Sequence, residues 1–306
     1  MRTRDIGFVV IAVVALMTIL NEPIFGQRNY PPKMKGAAEE VYKRVDGIEL
    51  KIYRFDPVDH SPKKEKLAAI VFFFGGGWRS GNPQQFEQHC RLLAERGMVA
   101  FTADYRVSSR HKTLVKECVA DGKSAIRWVR TNADRLGVDP NRIVAGGGSA
   151  GGHVAACAGI IKAFESKSED LNVTSRPDAM VLFNPAVVLA PIAGITLDKE
   201  KLATLTTRIG VDSRALSPFH HVEHVVPPTL IVHGKDDTTV LYRTVELFAD
   251  KINAKQGKCV LVGYEGQSHG FFNHGRSGNK MYEATTNEMV KFLSEQGMFA
   301  ATPTKK

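Results

Sequence analysis

The chain is poor in the residues that build small stapled or metal-held folds. It has only four cysteines in 306 residues, Cys90, Cys118, Cys157 and Cys259. Their spacing matches no metal-ligand pattern, so zinc ribbons and iron–sulfur sites are excluded. Four cysteines allow three pairings, and all four sit in apolar contexts that suit buried free thiols at least as well as a disulfide. Dense Lys/Arg blocks with interleaved aromatics are also missing. The formal charge of +9 is dispersed, which reads as a solvated basic surface; it can favour anionic partners such as acidic polysaccharides and argues against nucleic acid as a partner. The longest apolar run, Ile6 to Leu20, is short for a membrane span. No internal repeat and no second domain are evident.

The composition that remains is ordinary for a globular protein, with 43% hydrophobic and 24% charged residues. At this length a large α/β core can be buried. Residues 1–26 differ from the rest. Arg2 and Arg4 precede the apolar run, and a polar stretch with Pro23 follows it. That is the pattern of an export signal, so the mature protein is expected to be secreted or periplasmic, without stable membrane insertion once the signal is cleaved. Residues 27–38 read as a linker, 39–297 as one catalytic domain, and 298–306 as a C-terminal tail.

Within 39–297 short apolar runs alternate with helical patterns. A hairpin is predicted over 39–45 and 48–54, turning at Asp46-Gly47. Strands are predicted over 67–74, 98–103, 142–146, 179–184, 229–233 and 258–263. Helices are predicted over 83–96, 112–135, 150–164, 240–253 and 280–296. In the helix over 112–135, Leu114, Cys118, Ala125, Trp128 and Val129 are the expected inward positions. Continuous apolar strands separated by helices imply a mostly parallel sheet covered on both faces. The stretch 186–228 breaks this rhythm and reads as an insertion over the sheet's edge that roofs part of a pocket.

The strongest chemical signal is Gly146-Gly147-Gly148-Ser149-Ala150-Gly151-Gly152-His153. It contains G-x-S-x-G between a short strand and an alanine-rich helix. In such an elbow the central serine is held in a strained conformation at a helix N-terminus, and its neighbours must be small. A glycine-rich phosphate loop is the competing reading. The glycines do not fit its spacing, and no Lys-Ser/Thr pair follows.

A serine nucleophile needs a base, and the base needs an orienting carboxylate. The loops after the two last strands offer both. One carries Asp236 and Asp237; the other carries Ser268-His269-Gly270. Asp237 is preferred over Asp236, which would then face solvent or cap the next helix near Thr239. His269 is preferred over His274, for which a surface role suffices, and over His153 and His233, for which packing or loop bracing suffices. The oxyanion requires backbone donors. Ala150 N–H follows the nucleophile, and Gly76 and Gly77 lie in the Gly75-Gly76-Gly77-Trp78 turn after an early strand. Trp78 is the expected pocket wall.

These motifs together resemble the α/β-hydrolase superfamily. The likeness is to carboxylesterases with an H-G-G-G-W turn, the hormone-sensitive-lipase-like and feruloyl/acetyl-xylan-esterase-like groups. It extends over 39–297 and includes Asp104-Tyr105-Arg106, Asp121 with Arg127-Trp128, and Gly137-Val138-Asp139-Pro140-Asn141-Arg142-Ile143. The resemblance implies Ser149 as nucleophile, Asp237 as acid and His269 as base. It implies no cofactor and no metal. The family's histidine before the glycines is replaced here by Phe74, so packing would have to brace the turn. The expected activity is hydrolysis of short acyl esters, such as acetyl esters on a polysaccharide. A prolyl-oligopeptidase-type peptidase and a non-catalytic binding protein are the alternatives.

Overall fold

The computed structural model describes residues 30–195 and 199–299, without the side chains of 199–202. The expected export signal, the start of the linker and most of the tail lie outside the described residues. In chain order the elements are β1 Ala38–Val45, β2 Ile48–Phe55, β3 Leu67–Phe73, α1 Glu87–Ala94, β4 Val99–Ala103, α2 Ser108–His111, α3 Val115–Thr131 and α4 Ala133–Leu136. They continue with β5 Val138–Gly148, α5 Ala150–Ile160, β6 Ala179–Phe183, α6 Lys199–Ile209, β7 Thr229–Gly234, α7 Tyr242–Ala254, β8 Cys259–Tyr264 and α8 Lys280–Glu295. The eight strands form one sheet in the order β1-β2-β4-β3-β5-β6-β7-β8. The pairs β1/β2 and β2/β4 are antiparallel, and all others are parallel.

Strand β3 shows how the sequence builds two cores at once. Successive side chains of a strand point to opposite faces. Ala69, Val71 and Phe73 pack with Val119, Ile126, Val154 and Phe248 of α3, α5 and α7. Ala68, Ile70 and Phe72 pack with Leu93, Met289 and Leu293 of α1 and α8. Every residue of β3 is therefore buried, which is why the run is continuously apolar.

The helix predicted over 112–135 is two pieces, α3 and α4, with the short α2 closing just before it. Lys112 takes a left-handed conformation after α2, and Asn132 leaves helical geometry between α3 and α4 while its side chain bonds the Trp128 carbonyl at 2.8 Å. Trp128 is half-buried against the core as expected, whereas Leu114 is half-buried at the N-cap of α3 and outside the core. The helix predicted from 83 opens as a 3₁₀ turn, with Pro83 at its start and Asn82 Oδ1 accepting from Gln84 N–H. The helix predicted to Phe164 ends at Ile160, because Ile161 is extended. All four cysteines are buried and unpaired.

The scaffold segments singled out by the resemblance form a buried ionic network behind the hairpin. Asp121 accepts from Arg106 Nε at 2.8 Å and lies 2.8 Å from Lys43 Nζ. Arg127 holds Glu165 and Glu169, both at 2.5 Å. Each of these charges is matched, as burial requires.

His89 contrasts with that network. It lies fully buried on α1 among Phe72, Phe86, Phe183, Phe272 and Tyr282. Among the described residues neither ring nitrogen has a hydrogen-bond partner. Burial, and secondarily the charge of His274, push its pKa down to about 3. An unfolded histidine titrates near ~6.5, so between those values the unfolded chain binds more protons and stability falls as pH drops. His89→Leu is expected to stabilise the fold by about 1–2 kcal/mol at pH 7 by removing unsatisfied polar atoms. The advantage should widen at pH 5. Thermal unfolding at both pH values checks this; a lower melting temperature for the variant at both would contradict it.

Candidate active site

The elbow lies at the carboxyl edge of the sheet, where β5 runs into α5. Ser149 has φ 54° and ψ −117°, a conformation that L side chains rarely adopt. Its N–H donates to the Phe183 carbonyl at 2.9 Å, and its carbonyl accepts from His153 N–H at 3.0 Å. The glycines around it are sterically required. A Cβ on Gly151 would come within 2.0 Å of the Phe73 carbonyl oxygen, and one on Gly147 within 2.5 Å of Gly151 backbone. Both lie below any real contact, so strand and helix can meet here only as bare backbone.

Three residues from three loops converge above this elbow. His269 Nε2 is 2.9 Å from Ser149 Oγ, and His269 Nδ1 is 2.6 Å from Asp237 Oδ2. Asp237 Oδ1 accepts from Thr239 N–H at 2.8 Å and Val240 N–H at 2.9 Å. Those bonds occupy the stretch where a helix was predicted, so α7 begins only at Tyr242. Burial pushes Asp237 upward. Hydrogen bonds from His233 and His269, and from Val240 N–H, outweigh it, and the carboxyl ends well below the usual carboxylate range. Asp236 is exposed to solvent.

His233 and His153 occupy distinct places. His233 ends β7, fully buried, with Nε2 at 2.8 Å from the Val240 carbonyl and 3.3 Å from Asp237 Oδ2. It is a second donor to the carboxylate, a contact the sequence did not suggest. His153 is buried beneath the elbow, where burial holds its pKa down to about 4. It accepts from Trp78 Nε1 at 3.2 Å and meets the Leu216 carbonyl at 2.7 Å. His274 is exposed. Trp78 is thus tied into the core through His153 and is buried, where a pocket wall was expected.

The glycine turn lies directly against the serine. A Cβ on Gly75 would be 3.4 Å from Ser149 Cβ. Gly76 and Gly77 have φ +120° and +60°. Gly76 needs glycine twice over, since a Cβ there would come within 2.3 Å of the Ser80 carbonyl oxygen. Among the described residues no hydrogen bond takes up the N–H of Gly76 or Gly77. Ala150 N–H opens α5 and has no intrahelical acceptor.

Packing and two side-chain bonds brace this turn. Phe74 is fully buried and stacked on Tyr105, with ring centroids 4.2 Å apart. Tyr105 O–H donates to the Phe74 carbonyl at 2.6 Å. Gln85 Oε1 accepts from Gly75 N–H at 2.6 Å, and its Nε2 donates to Asn273 Oδ1 at 2.8 Å. Gln85 therefore ties the glycine turn to the loop that carries His269. From above, Arg208 of the 186–228 insertion donates to the Gly77 carbonyl. Among the described residues no cluster of three or more His, Cys, Asp or Glu side chains could hold a metal ion.

Known proteins share this arrangement of sequence and fold. The BD-FAE family model matches residues 58–252, and the dienelactone hydrolase family model matches 209–296. Esterase LipC of Mycobacterium tuberculosis is 29% identical over 226 residues, covering 66% of this chain and 52% of LipC. The chain spans about half the length of the curated relatives it matches. Thermogutta terrifontis esterase 2 phosphonylated by sarin is similar with a TM-score of 0.87 at 46% identity, covering 90% of this chain and 100% of that one. The same esterase with propionate bound has a TM-score of 0.84 at 48% identity, covering 90% and 99%.

Proposed function

We propose, on the premise that this chain belongs to the BD-FAE family of α/β-hydrolases, that it is a serine carboxylesterase for short acyl esters. The observation that carries the reading is the unbroken line from Ser149 Oγ through His269 to Asp237, at 2.9 and 2.6 Å. Such a line makes a weak hydroxyl nucleophilic. Ser149 Oγ attacks the ester carbonyl as His269 Nε2 takes its proton. Asp237 holds Nδ1–H and stabilises the imidazolium; it does not itself accept the proton. The carbonyl oxygen becomes an oxyanion facing Gly76, Gly77 and Ala150 N–H. His269 returns the proton to the departing alcohol. Water then attacks the acyl-serine by the same route, releasing the acid.

The similar esterase's reaction with sarin supports a nucleophile that attacks organophosphorus esters, and its propionate complex supports a short acyl site. The apolar leader at 6–20 supports an exported enzyme, secreted or periplasmic. Acetyl groups on a polysaccharide fit such a location, with no cofactor needed.

A panel of 4-nitrophenyl acetate, butyrate and octanoate, methyl ferulate and a peptide 4-nitroanilide tests this reading. The acetate and butyrate are expected to turn over at least ~tenfold faster than the octanoate, and the anilide to remain intact. Cleavage of the anilide alone would favour a peptidase. Inertness toward every ester would favour a binding protein.

A further inference from the structure

We propose that Arg79 and Arg208 form a carboxylate-binding subsite at the lip of the oxyanion turn, so that the preferred ester carries an anionic carboxylate. The inference rests on the esterase reading and narrows its substrate class.

Arg208 lies near the end of α6, within the insertion that breaks the strand–helix rhythm. Its guanidinium donates to the Gly77 carbonyl and sits 5.8 Å from the centroid of the Trp78 ring. A Cβ on Gly77 would be 3.4 Å from Arg208 Nη2, so no side chain separates the charge from the turn. Gly75, two residues earlier, lies against Ser149. Arg79 follows Trp78 directly and is exposed. Its charge acts on Arg208: burial first, and then repulsion from Arg79, hold the Arg208 pKa below its ordinary value.

Several other arginines are neutralised by carboxylates. Arg106, Arg127 and Arg130 each hold a carboxylate within 3.0 Å. Among the described residues no carboxylate pairs with Arg79 or Arg208, and neither has a further partner. Arg208 spends one donor on a neutral carbonyl, leaving the rest of its five-donor fork available. Like charges on one turn without a carboxylate partner repel, and an anion bound beside them relieves that repulsion. An arginine fork matches a carboxylate's geometry. The anion source is the substrate's acyl chain or its alcohol, and the position above Gly77 admits both.

Competition between matched esters tests the proposal in the full chain. For the acyl arm, mono-4-nitrophenyl glutarate is compared with 4-nitrophenyl pentanoate, with spontaneous hydrolysis subtracted. For the alcohol arm, 3-carboxyphenyl butyrate is compared with 3-carbamoylphenyl butyrate. The expected result is about tenfold higher kcat/KM for the anionic member of at least one pair, as two partly exposed ion pairs allow. The ratio should shrink in 0.5 M NaCl. Arg79→Gln and Arg208→Gln should each cut the ratio at least ~threefold, and the double variant should bring it to about one.

Arg208→Gln keeps a donor for the Gly77 carbonyl. Were Arg208 only a brace for the turn, the variant would change both esters alike and leave the ratio intact, which would overturn the proposal. So would wild-type activity on the neutral esters without anionic preference, although the esterase reading would then stand. Inertness toward all four esters would sink both.

Discussion

Ser149→Ala is expected to lower kcat/KM toward 4-nitrophenyl acetate by at least ~10⁴-fold, with the fold retained. The size follows from the cooperation of the three groups. Removing any one member of such a unit leaves only the catalysis that binding and the oxyanion donors supply. The fold should survive because the hydroxyl does little structurally. Ser149 is anchored by its backbone, through Phe183 and His153, and the bond made by its Oγ is the one to His269. Alanine meets the same strained φ as serine, so the elbow's cost is unchanged. Initial rates on purified variant and wild type, with circular dichroism and thermal unfolding as folding controls, check this. Activity within tenfold of wild type would remove Ser149 from the mechanism.

Asp237→Asn is expected to lower kcat by about 10³–10⁴-fold and also to destabilise the loop. Four donors converge on this carboxylate. Thr239 and Val240 N–H reach Oδ1, and His269 and His233 reach Oδ2. A carboxylate accepts on both oxygens, whereas an asparagine offers one acceptor and two donors. Either orientation of the amide sets its NH₂ against existing donors. If NH₂ faces His269, the imidazole must present an unprotonated Nδ1, and Nε2 then carries the proton and cannot take one from Ser149. If NH₂ faces the backbone, the turn before α7 loses two bonds, at a cost of about 1–3 kcal/mol. The two outcomes separate by kinetics and melting temperature measured together. His233→Ala removes only the second donor and should cost far less activity than Asp237→Asn. A full-rate Asp237→Asn enzyme would contradict the assignment of this acid.

Much of this arrangement was legible in the sequence because it depends on local backbone constraint. Gly147 and Gly151 flank Ser149 at positions where a Cβ would strike backbone, and such constraint shows as spacing. The loops with Asp237 and His269 were legible because each follows a continuous apolar strand. Phe74 was legible as a departure, and the stack on Tyr105 gives it a physical role.

What escaped the sequence depends on distant contacts. Gln85 and Asn273 are 188 positions apart, and Arg208 and Gly77 are 131 apart; no periodicity joins them. The packing or loop-bracing role expected of His233 fits its bond to the Val240 carbonyl. Its contact with Asp237 depends on the Gly234 turn folding back. The tie of the Trp78 indole N–H to His153 in the core has no signal in the sequence. The apolar spacing over 112–135 continues through Asn132, so it carries no sign that the backbone leaves helical geometry there.

The central claim is that Ser149 becomes covalently acylated. It is tested most directly by treating the protein with an organophosphorus ester such as diethyl 4-nitrophenyl phosphate and mapping the adduct by peptide mass spectrometry. One diethylphosphoryl group per chain, located on Ser149 and accompanied by complete loss of esterase activity, is the predicted result. Full inactivation with the adduct on another residue, or retained activity with Ser149 fully modified, would contradict it.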